Sequence, residues 1–361
     1  MNYLFFIQGE GRGHLTQALT LKEKLESHQH QVVAAIVSSH QELPDYFKKQ
    51  LTCPIFVISG PKFVVDKNNQ GINIFKSIGV AIQELPLYWQ SIKKIKKTVA
   101  DYNPDVLINF YEPLGNVYHG LYQDKRPMVC LGHQYFISHP DSHFPKMNYF
   151  SKLAFYFYNW LSSWSSDFKI ALSFTNSADL PERKLYICPP FIRAAIKNQP
   201  ISRDHFILVY LLNAGYSAEI ITWCQKNPKS KVEAFWNKPG AESVSLENNL
   251  IFHPLSGQKF IDRLAACQIY VSTAGFESIA EAAYLQKTII MIPTKNHFEQ
   301  KYNAADARRA GLASSSTEFQ PPSLNSDQQK TPSLDAAGKF KEWVDNYDYK
   351  IIDLLEKKLK K

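Results

Sequence analysis

Residues 271–313 read VSTAGFESIAEAAYLQKTIIMIPTKNHFEQKYNAADARRAGLA, and the order of textures in this stretch decides the fold. A short apolar strand, Val271 to Ser272, runs into the small-residue turn Thr273-Ala274-Gly275, and a helix begins at about Glu277. Such a turn leaves backbone N–H groups free at a helix N-terminus, where the peptide dipoles also favour an anion such as a pyrophosphate. Gly275, Phe276 and Ser278 belong to that turn, and Glu281 follows Glu277 by one helical turn on the same face. Its carboxylate is suited to ribose hydroxyls. Another strand, Ile289 to Pro293, comes next, and the loop after it presents His297, Glu299, Gln300 and Asn303. Acid and amide side chains supply the donors and acceptors that sugar hydroxyls need.

Outward from this stretch the same alternation recurs. In the C-terminal half, strands are expected at His205 to Leu212, Lys231 to Trp236, Leu250 to His253, Gln268 to Ser272 and Thr288 to Ile292. In the N-terminal half they are expected at Tyr3 to Gln8, Gln31 to Val37, Ile55 to Ser59, Asp105 to Phe110 and Met128 to Gly132. A helix fits Leu15 to Ser27, and one long amphipathic helix fits Ile72 to Tyr102. Alternating strands and helices imply parallel sheets covered on both faces, with ligands at the C-terminal strand ends. Pro181, Pro189, Pro190 and Pro200 give the region 181–204 the texture of a linker. The expected architecture is therefore α/β, with two Rossmann-like domains, residues 1–195 and 196–338, facing across a cleft. A C-terminal helix over 339–361 packs back toward the first domain.

The N-terminal loop Gly9-Glu10-Gly11-Arg12-Gly13-His14 stands after the first strand and opens the first helix. Gly11 and Gly13 let the backbone turn and approach a ligand closely, and His14 is placed to act as a general base or phosphate donor. A dinucleotide-dehydrogenase reading fits poorly. The spacing is G-x-G-x-G, and Val37 leads into Ser38, Ser39 and His40 where an acid is needed. Glu112 stands at the end of the strand Asp105 to Phe110, and His133 at the end of another; either is a candidate to orient an acceptor. Asn213, in the loop after the strand His205 to Leu212, is a candidate for phosphate or nucleobase contact by position. The segment Tyr149 to Trp164 carries eight aromatic residues nearly all round a helix, which reads as buried core, with an interfacial or acceptor-binding element as the alternative.

Bulk properties bound the rest. A chain of 361 residues, 45% hydrophobic and 20% charged, is a soluble globular protein of two domains, with no apolar run long enough for a membrane-spanning helix. The N-terminus reads as a buried strand rather than a signal peptide. Five scattered cysteines without a CxxC pair argue against a disulfide framework or zinc site and for the reduced cytoplasm. The net charge of +8 is spread, with clusters at Lys93, Lys94, Lys96, Lys97 and at Lys357, Lys358, Lys360, Lys361. Basic and aromatic residues are not interleaved on one surface, which speaks against nucleic acid.

The stretch 271–313 resembles the donor-site signature of nucleotide-sugar glycosyltransferases with the GT-B fold. It is similar to the UDP-glycosyltransferases and to the family 28 enzymes of lipid-linked cell-wall precursors and galactolipids. The resemblance implies that Gly275 and Ser278 contact the donor diphosphate, Glu281 the ribose, and Glu299 and Gln300, ahead of Asn303-Ala304, the donor sugar. The loop Gly9 to His14 looks like the family 28 glycine loop ending in His. The segment Asp105 to Leu114, Asp-x-x-Ile-x-x-x-Glu-Pro-Leu, is similar to that of uncharacterised bacterial members. Two departures stand out: Thr273 where the plant-type turn opens with His, and Glu277 where Asn is usual.

For activity, the resemblance implies an inverting, metal-independent transfer of a sugar from a UDP-sugar to a hydroxyl acceptor. His14 or Glu112 is the base, and no cofactor is required beyond the donor substrate. A lipid-linked acceptor and contact with the inner face of a membrane fit the aromatic segment and basic clusters. The alternatives are a non-catalytic sugar-nucleotide-binding subunit and a nucleotide-sugar 2-epimerase.

Overall fold

The computed structural model describes residues 1–62, 64, 73–146, 149–211, 217–236, 243–254, 257–295, 297–322, 324 and 334–359. Two seven-stranded sheets form. The first holds β1 (Asn2–Gln8), β2 (Gln31–Ser38), β3 (Ile55–Ile58), β4 (Val106–Phe110), β5 (Met128–Leu131), β6 (Phe168–Leu172) and β7 (Leu185–Cys188). Its order is β3-β2-β1-β4-β5-β6-β7, all parallel. The second holds β8 (Asp204–Tyr210), β9 (Val232–Trp236), β10 (Val244–Glu247), β11 (Leu250–Pro254), β12 (Cys267–Ser272), β13 (Thr288–Met291) and β14 (Ser314–Ser315). Its order is β10-β11-β9-β8-β12-β13-β14, parallel but for the edge strand β10.

Helices cover both faces, so the central strands are apolar on both sides rather than alternating. Tyr3, Leu4, Phe5, Phe6 and Ile7 of β1 are all fully buried. Strand order reverses between β1 and β4 in one sheet and between β8 and β12 in the other. Crevices open at such switch points, at the C-terminal strand ends. In both domains the backbone is strained just there: Tyr111 after β4 has φ 60°, and Ala274 after β12 has φ 65°.

Three sequence expectations change. The long helix splits into Ile74–Gln83 and Leu85–Tyr102, because Pro86 lacks an N–H and its ring clashes with a carbonyl of the preceding turn. The proline-rich region contains β7, which pairs with β6 and completes the first sheet. The last helix becomes two, Leu334–Asn346 and Lys350–Leu359, with Asp348 between them held by Lys24 (2.6 Å) and Lys197 (2.9 Å). Both pack back on the first domain. Trp343 donates to the Ser173 carbonyl at 3.0 Å, and Lys350 pairs with Asp179 at 2.9 Å.

The helix Tyr149–Leu161 corrects the reading of a buried aromatic segment. Phe155 and Tyr158 point inward, but Tyr149, Phe150, Leu153, Tyr156, Phe157 and Trp160 are exposed, as is Trp164 just beyond. Among the described residues, one face of this helix has protein to lie against.

Candidate active site

The glycine loop is built by close approach. Gly9 donates its N–H to the Ser38 carbonyl at 2.8 Å, and a Cβ on Gly9 would sit 2.6 Å from that oxygen. Gly11 has φ 101°, a conformation that favours glycine, and points into open space. Gly13 starts the helix Gly13–Ser27 and faces the other domain, where a Cβ would lie 3.6 Å from Glu277 Cγ.

His14 is half-buried, stacked on Tyr111 with ring centroids 5.8 Å apart. Its Nδ1 lies 3.1 Å from Gln17 Oε1. A carbonyl oxygen only accepts, so Nδ1 carries the proton and Nε2 keeps the lone pair. Desolvation pushes the imidazole pKa down to about 4, against the pull of Gln17, and the ring is neutral at pH 7. Gln17 is buried, and its amide nitrogen donates to Glu277 Oε1 across the domain interface.

Opposite the loop, the helix Phe276–Tyr284 begins at Gly275 with no side-chain cap. Gly275 is exposed and Ser278, half-buried, donates to the Gly275 carbonyl at 3.1 Å. No side-chain cap therefore occupies the first-turn amides, which suits an anion. Glu277 itself is buried. Desolvation raises its pKa to about 8, opposed by Gln17 and Arg193 and reinforced by Glu281 and Glu299. It is an uncharged acid at neutral pH, which removes the conflict between a carboxylate here and a bound diphosphate.

Glu299 and Gln300 open the helix Phe298–Arg309, capped by His297. Glu299 is half-buried; desolvation lifts its pKa to about 7, with a hydrogen bond from Gln134 opposing the shift. Gln300 Oε1 accepts from the Thr294 N–H at 2.8 Å, which turns its amide back on its own loop. Asn303 is buried and donates to the Ala274 carbonyl at 2.9 Å, bracing the strained turn.

Other candidates take roles that their positions in the sequence do not reveal. Glu281 is buried and locked to Arg193 through two bonds of 2.6 and 2.7 Å, so it ties the interdomain linker to this helix rather than facing an open subsite. Phe276 is packed between domains, stacked on His133 (4.1 Å) and against Phe174 (4.6 Å). His133 is accordingly fully enclosed and does not reach an acceptor. Glu112 is also fully buried: it caps the helix Pro113–Leu121 by accepting from the Gly115 N–H at 2.6 Å, and desolvation raises its pKa to about 7. Asn213 lies outside the described residues. Sequence reasoning missed Gln17, Tyr111 and Arg193; only Gln17 left a trace, standing one turn after His14.

No group of metal-ligating side chains occurs among the described residues. A surface depression of about 740 Å³, lined by Lys96, Tyr118, Asp124 and Arg126, is at the other end of the first sheet, before β4 and β5.

Two switch-point crevices facing each other, a glycine loop with a neutral histidine and an uncapped helix start are therefore brought together. A family model described as "Glycosyl transferase family 1" matches residues 1–329. The chain belongs to that family. The transferase is also similar in fold to the glycotransferase of kitacinnamycin, with TM-score 0.65 and 13% identity over 99% of both chains. The calicheamicin glycosyltransferase CalG4 gives TM-score 0.64 and 13% identity over 99% of this chain and 98% of that one. MurG of Acinetobacter baumannii gives 0.59 and 15% over 99% and 100%. These likenesses establish the two-domain GT-B fold of the transferase. No protein of curated function matches its sequence.

Proposed function

We propose that this glycosyltransferase takes its sugar from a nucleotide-sugar, a UDP-sugar, and passes it to a hydroxyl acceptor with inversion and without a metal. One observation carries the reading: the uncapped start of the helix Phe276–Tyr284 faces the glycine loop that holds a neutral His14. In this scheme the first-turn amides and the Ser278 hydroxyl take the diphosphate, and Glu299 with Gln300 takes the sugar hydroxyls. His14 Nε2 removes the proton of the acceptor hydroxyl as its oxygen attacks the anomeric carbon. The bond from that carbon to the diphosphate breaks on the opposite face, and helix N–H groups stabilise the departing charge. Glu112 supports the turn as a helix cap. A solved structure of Arabidopsis thaliana UGT89C1, similar at 14% identity and TM-score 0.60 over 99% of both chains, is complexed with UDP, which favours a uridine donor here.

The acceptor is lipid-linked and met at a membrane surface in this proposal, with the protein in the cytoplasm against the inner leaflet. The exposed aromatic face of residues 149–164 supports it, and no helix among the described residues is long and apolar enough to cross a membrane. The test of the donor site is calorimetric titration with UDP, UDP-glucose, UDP-GlcNAc and GDP-mannose, on the native protein and on Ser278→Ala. Binding of a uridine nucleotide that weakens in the variant is expected. Equal binding of UDP by both proteins, or none by either, overturns the assignment. Glu281→Ala is the poorer probe, because losing the Arg193 pair would disturb the linker as well.

A further inference from the structure

We propose that Gln17 and Glu277 form a relay across the domain interface that sets the tautomer of His14, making the imidazole an Nε2 base only when the domains are closed. The inference rests on the reading of His14 as the base. Its geometry is a chain of two hydrogen bonds: His14 Nδ1 to Gln17 Oε1 at 3.1 Å, and Gln17 Nε2 to Glu277 Oε1. His14 and Gln17 share one face of a helix in the first domain, whereas Glu277 belongs to the second.

A primary amide donates at one end and accepts at the other, so Gln17 cannot reverse one bond without reversing both. An ionised Glu277 accepts only. It therefore holds the Gln17 NH2 group toward itself and leaves Oε1 for the imidazole, which must then carry its proton on Nδ1. A neutral Glu277 has an O–H and admits the reverse chain. In that chain its O–H donates to Gln17 Oε1, the Gln17 NH2 donates to Nδ1, and the proton sits on Nε2, where the ring is no base. With the domains apart, Gln17 meets water and imposes neither state.

Both relay residues are buried, and Glu277 Oε2 finds no partner among the described residues, so water does not short-circuit the choice. The charged groups that act on Glu277 are Glu281, Arg193 and Glu299, and with its pKa near 8 the relay locks into the base-forming sense as pH rises through that value.

The test is 15N NMR of the histidine ring nitrogens in the full-length protein at pH 6.5 and 9, for wild type, Glu277→Gln and Gln17→Met, with His14→Ala to assign the signal. Expected is a pH-dependent shift of wild-type His14 to a single Nδ1–H tautomer at pH 9, lost in both variants. The kcat of each variant should fall in proportion to its wrong-tautomer population, with KM for the donor unchanged. A merely structural contact would lower Tm and leave the tautomer ratio alone. The same His14 tautomer in all three proteins at both pH values overturns the relay. If His14→Ala instead turns over at the wild-type rate, the base assignment fails, and the ring signals still judge the relay separately. Gln17→Met keeps the relay testable should Glu277→Gln not fold.

Discussion

His14 sits between two neighbours that do different work: Tyr111 stacks on its face and Gln17 Oε1 accepts a hydrogen bond from Nδ1–H. The ring is neutral through most of the pH range because burial holds its pKa near 4. A neutral imidazole is ready to accept a proton, though a weak base, so the contribution expected of it is that of ordinary general-base catalysis. His14→Ala should lower kcat by about 10²–10⁴-fold and leave nucleotide affinity unchanged. Steady-state kinetics with saturating donor decide this, and a loss confined to KM would assign His14 to binding instead. At this scale the sequence was legible where a residue type answers to backbone geometry. Gly9 and Gly11 are needed where they stand, and that need shows in their identity. Partner choice was not legible. Glu281 meets Arg193, 88 residues away, and Glu277 meets Gln17, 260 away, and only the docking of two domains decides such pairs.

The helix Tyr149–Leu161 shows the same limit at the scale of an element. Its composition is aromatic nearly all round, and a helix of that kind inside a globule is core. Among the described residues a single face is covered: Phe155 packs on Phe298 at 5.1 Å, and Tyr158 on Tyr111 at 5.3 Å. The other face leaves Tyr149 73%, Phe150 61%, Phe157 58% and Trp160 55% exposed. Nothing in the periodicity distinguishes a helix packed all round from one whose outer face waits for another apolar phase. Tyr and Trp at a wet apolar boundary are at home in the headgroup region of a bilayer, and nearby Lys152 suits anionic lipid. Vesicles containing anionic lipid should sediment the protein. The combined change Phe157→Ser and Trp160→Ser should abolish that binding while shifting Tm little, since these two rings are mostly solvated. Undiminished sedimentation of the variant would move the membrane-facing surface elsewhere. Strand–helix alternation, by contrast, was readable for β1 to β5, β8, β9 and β11 to β13, because both faces of each central strand are covered and the apolar runs are unbroken; β6 and the edge strands β10 and β14 were not read. Elements hidden in proline-rich texture, such as β7, were not, since proline at a strand's flank looks the same as proline in a linker.

At the scale of the molecule, closure of the two domains removes several ionisable groups from water at once, and this couples fold stability to pH. Glu112, Glu277 and Glu299 have folded pKa values near 7, 8 and 7, all above the value of about 4.3 for an unfolded glutamate. For these the folded state binds more protons, so their contribution is complete at low pH and is lost as pH rises toward 8. His14 and His297 run the other way. With folded values near 4, they favour the folded state above about 6.5 and lose that contribution as pH falls toward 4. The two sets oppose each other below about pH 6.5, but between 6.5 and 8 only the carboxyls titrate. Stability should therefore fall across that upper window, by on the order of 1 kcal/mol per pH unit. Calorimetric Tm values at pH 6.5 and 8.5 test it, and Glu299→Gln, which cannot ionise, should flatten the decline. A Tm that holds level from pH 6.5 to 8.5 would mean that these carboxyls stay hydrated, and that the cleft stands open in solution.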